Sequence, residues 1–312
     1  MEHNLLEERQ FLDKSDRCLI CIDSNRAPKR VHQVSTGLVD LDNSKTYECW
    51  LSKEKVEFGV SNRVVWSRDT HNLVLSYEFE ETSSLAEETR LAYESLLKET
   101  KKFSQNFKIA RIWNYIDNIN QHEQGIERYR QFNKGRLEGL SKILDNQKKF
   151  PAASGVGGFG KTIIFLFATD YPVYFFENPR QISAYEYPAK HGPASPSFSR
   201  ASHIQKNNEY LIYLSGTASI VGHESINEGD IESQYKITAE NIDLLLNKIS
   251  ISISKKGQPE IVFLKVYLRY PKDKELISDL IHKSFGDIPV RYLQGHICRQ
   301  ELDLEIEGVA RL

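Results

Sequence analysis

Ile261-Val-Phe-Leu-Lys-Val-Tyr-Leu268 and Leu302-Asp-Leu-Glu-Ile-Glu307 are the stretches on which the reading of this chain turns. The first is a short apolar run rich in β-formers, too short for a domain helix, and it predicts a strand. In the second, Leu302, Leu304 and Ile306 alternate with Asp303, Glu305 and Glu307. A closing strand near Glu301 to Val309 therefore puts apolar side chains on one face and carboxylates on the other. Upstream, Ile237, Ile242, Leu245, Leu246 and Ile249 repeat at helical spacing after the Gly229-Asp230 pair. Between the two strands, a second amphipathic helix runs from about Lys272 to Phe285 and stops at Gly286, with Pro289-Val-Arg291 beyond it. Helix, strand, helix, strand is a mixed α/β layer.

The N-terminal half repeats that theme. Arg17 to Asp23 predicts a short strand, and Arg63 to Trp66 and Leu73 to Phe79 predict two more. Ser83 or Ser84 can cap a helix from about Leu85 to Phe103, with Glu87 and Glu88 at its positive end. Phe107 to Trp113 follows as a strand, and a further helix covers about Gly125 to Leu144. The two halves read as a loose duplication of one α/β (α+β) unit, by topology rather than by residue identity. The boundary is expected between Asn146 and Gly160, where a Gly-rich run breaks all periodicity. That gives an N-terminal domain over 1–150 and a C-terminal domain over 151–312.

With 312 residues the chain is long enough for one large or two ordinary domains. Its net charge of -2, from 41 basic and 43 acidic residues, argues against a dedicated nucleic-acid binder. No apolar run has membrane-spanning length, and the polar N-terminus is unlike a signal peptide. The expectation is a cytoplasmic protein with reduced thiols and no membrane partner.

Three local patterns invite a functional reading. Gly155-Val-Gly-Gly-Phe-Gly-Lys-Thr162 has the spacing of a phosphate-binding loop. That loop needs a strand before it and a helix after it. Here Ile163-Ile-Phe-Leu-Phe167 reads as a strand and the preceding residues do not read as one, so a turn or a Gly-rich loop in close contact is expected instead. Cys18-Leu-Ile-Cys21 lies in an apolar strand and lacks a second ligand pair, so buried thiols are expected rather than zinc. The nine histidines show no paired spacing, so no metal is expected, and His223 and His296 read as hydrogen-bonded loop residues.

The stretch from Gly229 onward resembles the C-terminal part of RidA-like (YjgF) proteins. The residues that carry this are Gly229-Asp-Ile231, Asn241, Val266-Tyr-Leu268, Phe285-Gly286, Pro289-Val-Arg291 and Glu305-Ile-Glu-Gly-Val-Ala310. It implies two RidA/YjgF-like mixed-sheet units packed with helices, a homotrimeric or pseudo-trimeric arrangement, and a carboxylate-holding role for Arg291. A second resemblance covers about residue 110 to the C-terminus. It rests on Arg111-Ile-Trp-Asn-Tyr-Ile116, Glu127 to Arg136, Phe150 to Gly157, Asn178 to Pro188, Gly192 to Ala201, Leu214 to Ser225 and Cys298-Arg299 with Glu305-Ile-Glu307. These motifs, in this order, resemble the chorismatase family. One departure is Ala194, where the family often carries an arginine.

The resemblance implies an enzyme acting on chorismate without cofactor or metal. Chorismate is a dianion with an enolpyruvyl ether, and arginine forks suit its carboxylates. Arg200 and Arg291, with Arg136 behind them, are the expected carboxylate partners. Tyr187 and Ala218 are expected to line the same site. Glu305 is the expected general acid, its pKa raised by a dry pocket. Cys298 is expected to steer the intermediate to 3-hydroxybenzoate and pyruvate. Alternatives are a hydrolytic route to a dihydroxycyclohexadiene carboxylate, RidA-like imine hydrolysis, or a non-catalytic binding module. On residue type alone, Glu305 reads as a solvated strand carboxylate, and Arg200 and Arg136 as surface ion-pair partners.

Overall fold

The computed structural model describes residues 1–23, 31–42, 46–123, 125–141, 149–253 and 257–312. Two seven-stranded mixed sheets organise the chain. The first runs, neighbour to neighbour, through His296–Ile297, Ala152–Gly158, Lys108–Asp117, Thr162–Thr169, Asn72–Phe79, Val64–Arg68 and Glu57–Ser61. The second runs through Val173–Phe176, Ala201–Lys206, Glu209–Thr217, Leu304–Arg311, Glu260–Leu268, Val290–Gln294 and Val39–Asp40.

The sheets repeat one connectivity. In the first, strand Asn72–Phe79 leads into helix Leu85–Phe103, strand Lys108–Asp117, helix Arg128–Ser141 and strand Ala152–Gly158. In the second, strand Glu209–Thr217 leads into helix Ile231–Ser252, strand Glu260–Leu268, helix Lys274–Phe285 and strand Val290–Gln294. The last two strands of each series pair in parallel across their helix, as a β-α-β crossover requires. A final strand then inserts between the first two strands of the series: Thr162–Thr169 in the first unit and Leu304–Arg311 in the second.

This pattern bears out two mixed-sheet units and corrects where they divide. The expected boundary at 146–160, part of which lies outside the described residues, cuts off Ala152–Gly158 and Thr162–Thr169. Both belong to the first sheet. Ala152–Gly158 is a buried strand that takes in the first half of the Gly-rich run, and only residues 159–161 form the expected turn. The strand's lack of large side chains hid it, and the packing explains that lack: a Cβ on Gly157 would lie 2.6 Å from Ile119 Cγ2 and 2.7 Å from the Cβ of His296. Lys161, at the end of the turn, is bound to Glu78 at 2.5 Å on the surface.

Local signals set the helices. Ser84 Oγ accepts from the Glu87 amide at 3.3 Å, and Asp230 caps Ile231–Ser252 through the Ser233 amide at 3.0 Å. Helix Lys274–Phe285 ends at Gly286, whose φ of 79° few other residues adopt. Helix Arg128–Ser141 starts later than expected; residues 142–144 of the expected span lie outside the described ones.

Helices cover one face of each sheet, and the sheets face each other. Leu73, Leu75, Ile112, Ile164 and Leu166 pack on Leu85–Phe103 and Arg128–Ser141 through Tyr93, Leu96, Phe132 and Leu140. Leu264, Val266, Leu304 and Ile306 pack on the other helix pair through Ile242, Leu245, Ile277 and Ile281. Between the sheets lies a third core that includes Trp113, Phe165, Phe167, Tyr213, Phe263 and Tyr267. A four-stranded sheet near the N-terminus adds Leu19, Ile20 and Trp50 to it. Cys18, Cys21 and Cys49 are buried in that small sheet, with Cys21 Sγ 3.5 Å from Cys49 Sγ. No helix among the described residues is long and apolar enough to cross a membrane.

Candidate active site

Because strand Leu304–Arg311 is central in the second sheet, its two faces meet different neighbours. Leu304 and Ile306 face helices, while Glu305 and Glu307 point into the space between the sheets. The carboxylate face is therefore not solvated: Glu305 is 3% and Glu307 4% exposed. The reading of Glu305 as a solvated strand residue fails because the second face of this sheet is covered by another sheet.

Glu307 is fully partnered. It accepts from Arg111 Nη2 at 2.9 Å, Ser154 Oγ at 2.5 Å, Trp113 Nε1 at 3.0 Å and Tyr267 OH at 3.0 Å, with Lys265 Nζ at 3.5 Å. Such a set satisfies the oxygens of a buried carboxylate. Ser154 Oγ also accepts from the Gly216 amide at 2.8 Å, tying the first sheet to strand Glu209–Thr217. The register of that strand shifts against the closing strand between Leu214 and Thr217. Glu305 occupies this irregularity, and a Cβ on Gly216 would sit 1.8 Å from Glu305 Oε1.

Glu305 opens on a cavity of about 320 Å³ lined by both units. Burial, reinforced by the nearby negative charge of Glu307, raises its pKa to about 8 against the opposing pull of Arg111 and Arg200. Cys298 lines the same cavity, and burial pushes its thiol up to about 12, with Glu305 adding to the shift. At neutral pH both groups carry their protons.

The cavity's cations are set differently. Arg200 is buried; its Nη2 donates to Tyr187 OH at 2.6 Å and to Ile182 O at 3.2 Å, and its guanidinium lies 5.1 Å from the Phe198 ring centroid. Arg136 is buried too, with Nη2 donating to Asn133 Oδ1 at 2.7 Å. The Nε atoms of both are buried without a hydrogen-bond partner. Buried, under-partnered guanidinium donors favour an anionic ligand. Arg130 and Arg299 complete a cationic wall, and Glu127 and Glu301 stand nearby.

Of the residues singled out from sequence, Glu305, Cys298, Arg200, Tyr187, Arg136 and Ala218 line this one cavity. Arg291 does not. It is buried beside Glu48 at 3.2 Å, Asp23 at 3.6 Å and Asp40 at 3.8 Å, which neutralise it. Glu48 also binds Lys265 at 2.8 Å, so Arg291 belongs to an internal charge network, and its expected part in substrate binding is corrected. Sequence reasoning passed over Ser154, Gly216, Arg299 and Arg111 individually, although each falls within a quoted motif. Tyr129 and Arg130, also inside one, were likewise not singled out.

The repeated sheet unit and this cavity define a two-unit α/β protein with a place for a small anion beside a neutral, buried carboxyl group. Residues 48–168 match the family described as "Chorismatase FkbO/Hyg5-like, N-terminal". The chain is 32% identical over 274 residues to a 3-hydroxybenzoate synthase of Streptomyces hygroscopicus, covering 84% of this chain and 80% of that one. A chorismatase of the same organism is 29% identical over 276 residues, 86% of this chain and 80% of its own. The chain belongs to the chorismatase family. A crystal structure of a chorismatase superposes with a TM-score of 0.90 over 99% of this chain and 98% of its own, at 24% identity, a likeness of fold.

Proposed function

We propose that this chain converts chorismate to 3-hydroxybenzoate and pyruvate, with Glu305 as the acid. The observation that carries the reading is a carboxyl group with a pKa near 8 in a cavity whose other wall holds buried, under-partnered Arg136 and Arg200. Protonating an enol ether at its methylene carbon needs an acid still protonated at neutral pH. Burial and Glu307 supply that state. Arg200 and Arg136 hold the substrate carboxylates, so their charge is spent on the ligand rather than on Glu305. Tyr187 orients Arg200 through its hydroxyl, and the small side chain of Ala218 leaves room for the ring.

The oxocarbenium formed on protonation can react with water or with the ring's own hydroxyl. In the second case the ring aromatises, and the atoms of chorismate divide between the two products with nothing oxidised, reduced or added. Cys298, a neutral thiol beside Glu305, occupies space where water would attack. The similarity to a protein named 3-hydroxybenzoate synthase supports that branch over the hydrolytic one. A trimeric or pseudo-trimeric packing belongs to the same reading and is checked by light scattering.

The test is incubation with chorismate, a coupled assay for pyruvate and chromatography of the aromatic product. Equal amounts of pyruvate and 3-hydroxybenzoate are expected. Pyruvate with the diene acid instead selects the hydrolytic alternative, and no pyruvate at all overturns the enzyme reading.

A further inference from the structure

Beside Tyr187, at the edge of the cavity, lies a cluster to which the proposed reaction gives no part. His191 ends the turn Ala189–His191, and His223 and Glu224 sit in the hairpin formed by Ile220–Val221 and Glu224–Ser225. In sequence the two segments lie far apart, so linear spacing gives no hint of a ligand set. In space His191 Nε2 is 3.1 Å from His223 Nδ1, and His223 Nδ1 is 3.1 Å from Glu224 Oε1. All three ligand atoms lie within 4.8 Å of one another.

We propose that His191, His223 and Glu224 form a binding site for a transition-metal dication of the zinc type at the rim of the cavity. Two imidazoles and a carboxylate match the donor set such ions take. Ligands at about 2.0–2.1 Å around a tetrahedral ion stand roughly 3.3 Å apart, close to the two spacings found here. The partial exposure of the cluster leaves a coordination position for water.

The surroundings hold the ligands in place. Arg299 Nη1 donates to the backbone oxygen of His223 at 3.0 Å and to Ser225 Oγ at 2.9 Å, fixing the hairpin. The Tyr187 ring packs on both imidazoles, with centroids 5.3 Å from His191 and 6.2 Å from His223. One local group competes with an ion: Lys190 hydrogen-bonds Glu224. A dication must displace that ammonium, so Lys190 weakens its binding. Once bound, it ties the turn to the hairpin beside Tyr187 and His191, both of which line the cavity. The ion then stiffens the mouth through which substrate passes.

The test measures binding directly, so it stands apart from the proposed reaction. Cobalt(II) is titrated into the purified protein and followed by its visible absorption, and zinc is followed by calorimetry. Expected are visible bands of low-coordinate cobalt, micromolar zinc affinity, at least tenfold weaker binding in His223→Ala and Glu224→Gln, and tighter binding in Lys190→Gln. Glu224→Gln serves where His223→Ala fails to fold. Absence of cobalt bands, or zinc affinity unchanged in both ligand variants, overturns the proposal.

Discussion

Replacing Glu305 by glutamine should abolish turnover and make the protein more stable. Glutamine keeps the size of the side chain but cannot give up a proton, and losing a general acid costs about 10²–10⁴-fold in rate. The stability half follows from the pKa. Burial raises the pKa of Glu305 from 4.5 to about 8, so the folded protein holds this proton where the unfolded chain has released it. Between those values the unfolded state binds fewer protons, and stability falls as pH rises. The stabilising proton is fully present below pH 4.5 in both states, and the loss levels off above about pH 8. Worked through, the wild type gives up about 3 kcal/mol by pH 7 and about 5 kcal/mol by pH 9, to order of magnitude. Glutamine does not titrate, so the variant escapes this loss. Urea unfolding of both proteins from pH 5 to 9 reads the difference, and other titrating groups cancel in it. The gap should widen with pH up to about 8. Parallel stability profiles, or near-wild-type pyruvate release by the variant, would refute the assignment. With a pKa near 8, about 90% of Glu305 is protonated at pH 7, against about 0.3% at an ordinary value.

Further outcomes follow from the same geometry. Glu307→Gln removes the charge that helps Glu305 keep its proton, so the alkaline limb of the pH–rate profile should move to lower pH; an unmoved limb separates Glu307 from the acid. The Cβ of Gly216→Ala would meet the carboxylate end of the Glu305 side chain rather than backbone, so the variant should fold, with a melting temperature close to wild type, yet release pyruvate at least tenfold more slowly. Cys298→Ala opens space for a water beside the intermediate. It should still release pyruvate while the product shifts from 3-hydroxybenzoate towards the diene acid, measured by chromatography at matched conversion.

Periodicity located most of the regular elements because their apolar positions match the face each one buries. Ile261 to Leu268 is a strand in the structure, as its β-formers require, and Ser84 caps the helix that its neighbours announce. Two things were not legible. The strand Ala152–Gly158 carries no large apolar residue, because its neighbours press too closely on it to admit one. Missing it moved the domain boundary ahead of two strands of the first sheet. Alternation in Leu302 to Glu307 gave the two faces correctly, yet alternation alone cannot say what covers the polar face. A second sheet covers it, and that turns a solvated stripe into a buried acid.

The failure at Arg291 has the same origin. An arginine after a proline at a strand start looks available to a ligand, and nothing in its own segment says otherwise. Its neutralising partners Asp23, Asp40 and Glu48 all come from the N-terminal residues, far away in sequence. Arg136 and Arg200 differ from it in place: their unpartnered Nε atoms belong to side chains that line the cavity, whereas Arg291 lies away from it among three carboxylates. Burying a guanidinium is costly unless its charge is compensated. Where the fold provides the compensation, as at Arg291, the residue is structural; where it leaves donors open on a cavity, a ligand can complete them. That distinction removes Arg291 from the site and keeps Arg200 and Arg136. It is set by tertiary partners, which a single sequence does not reveal.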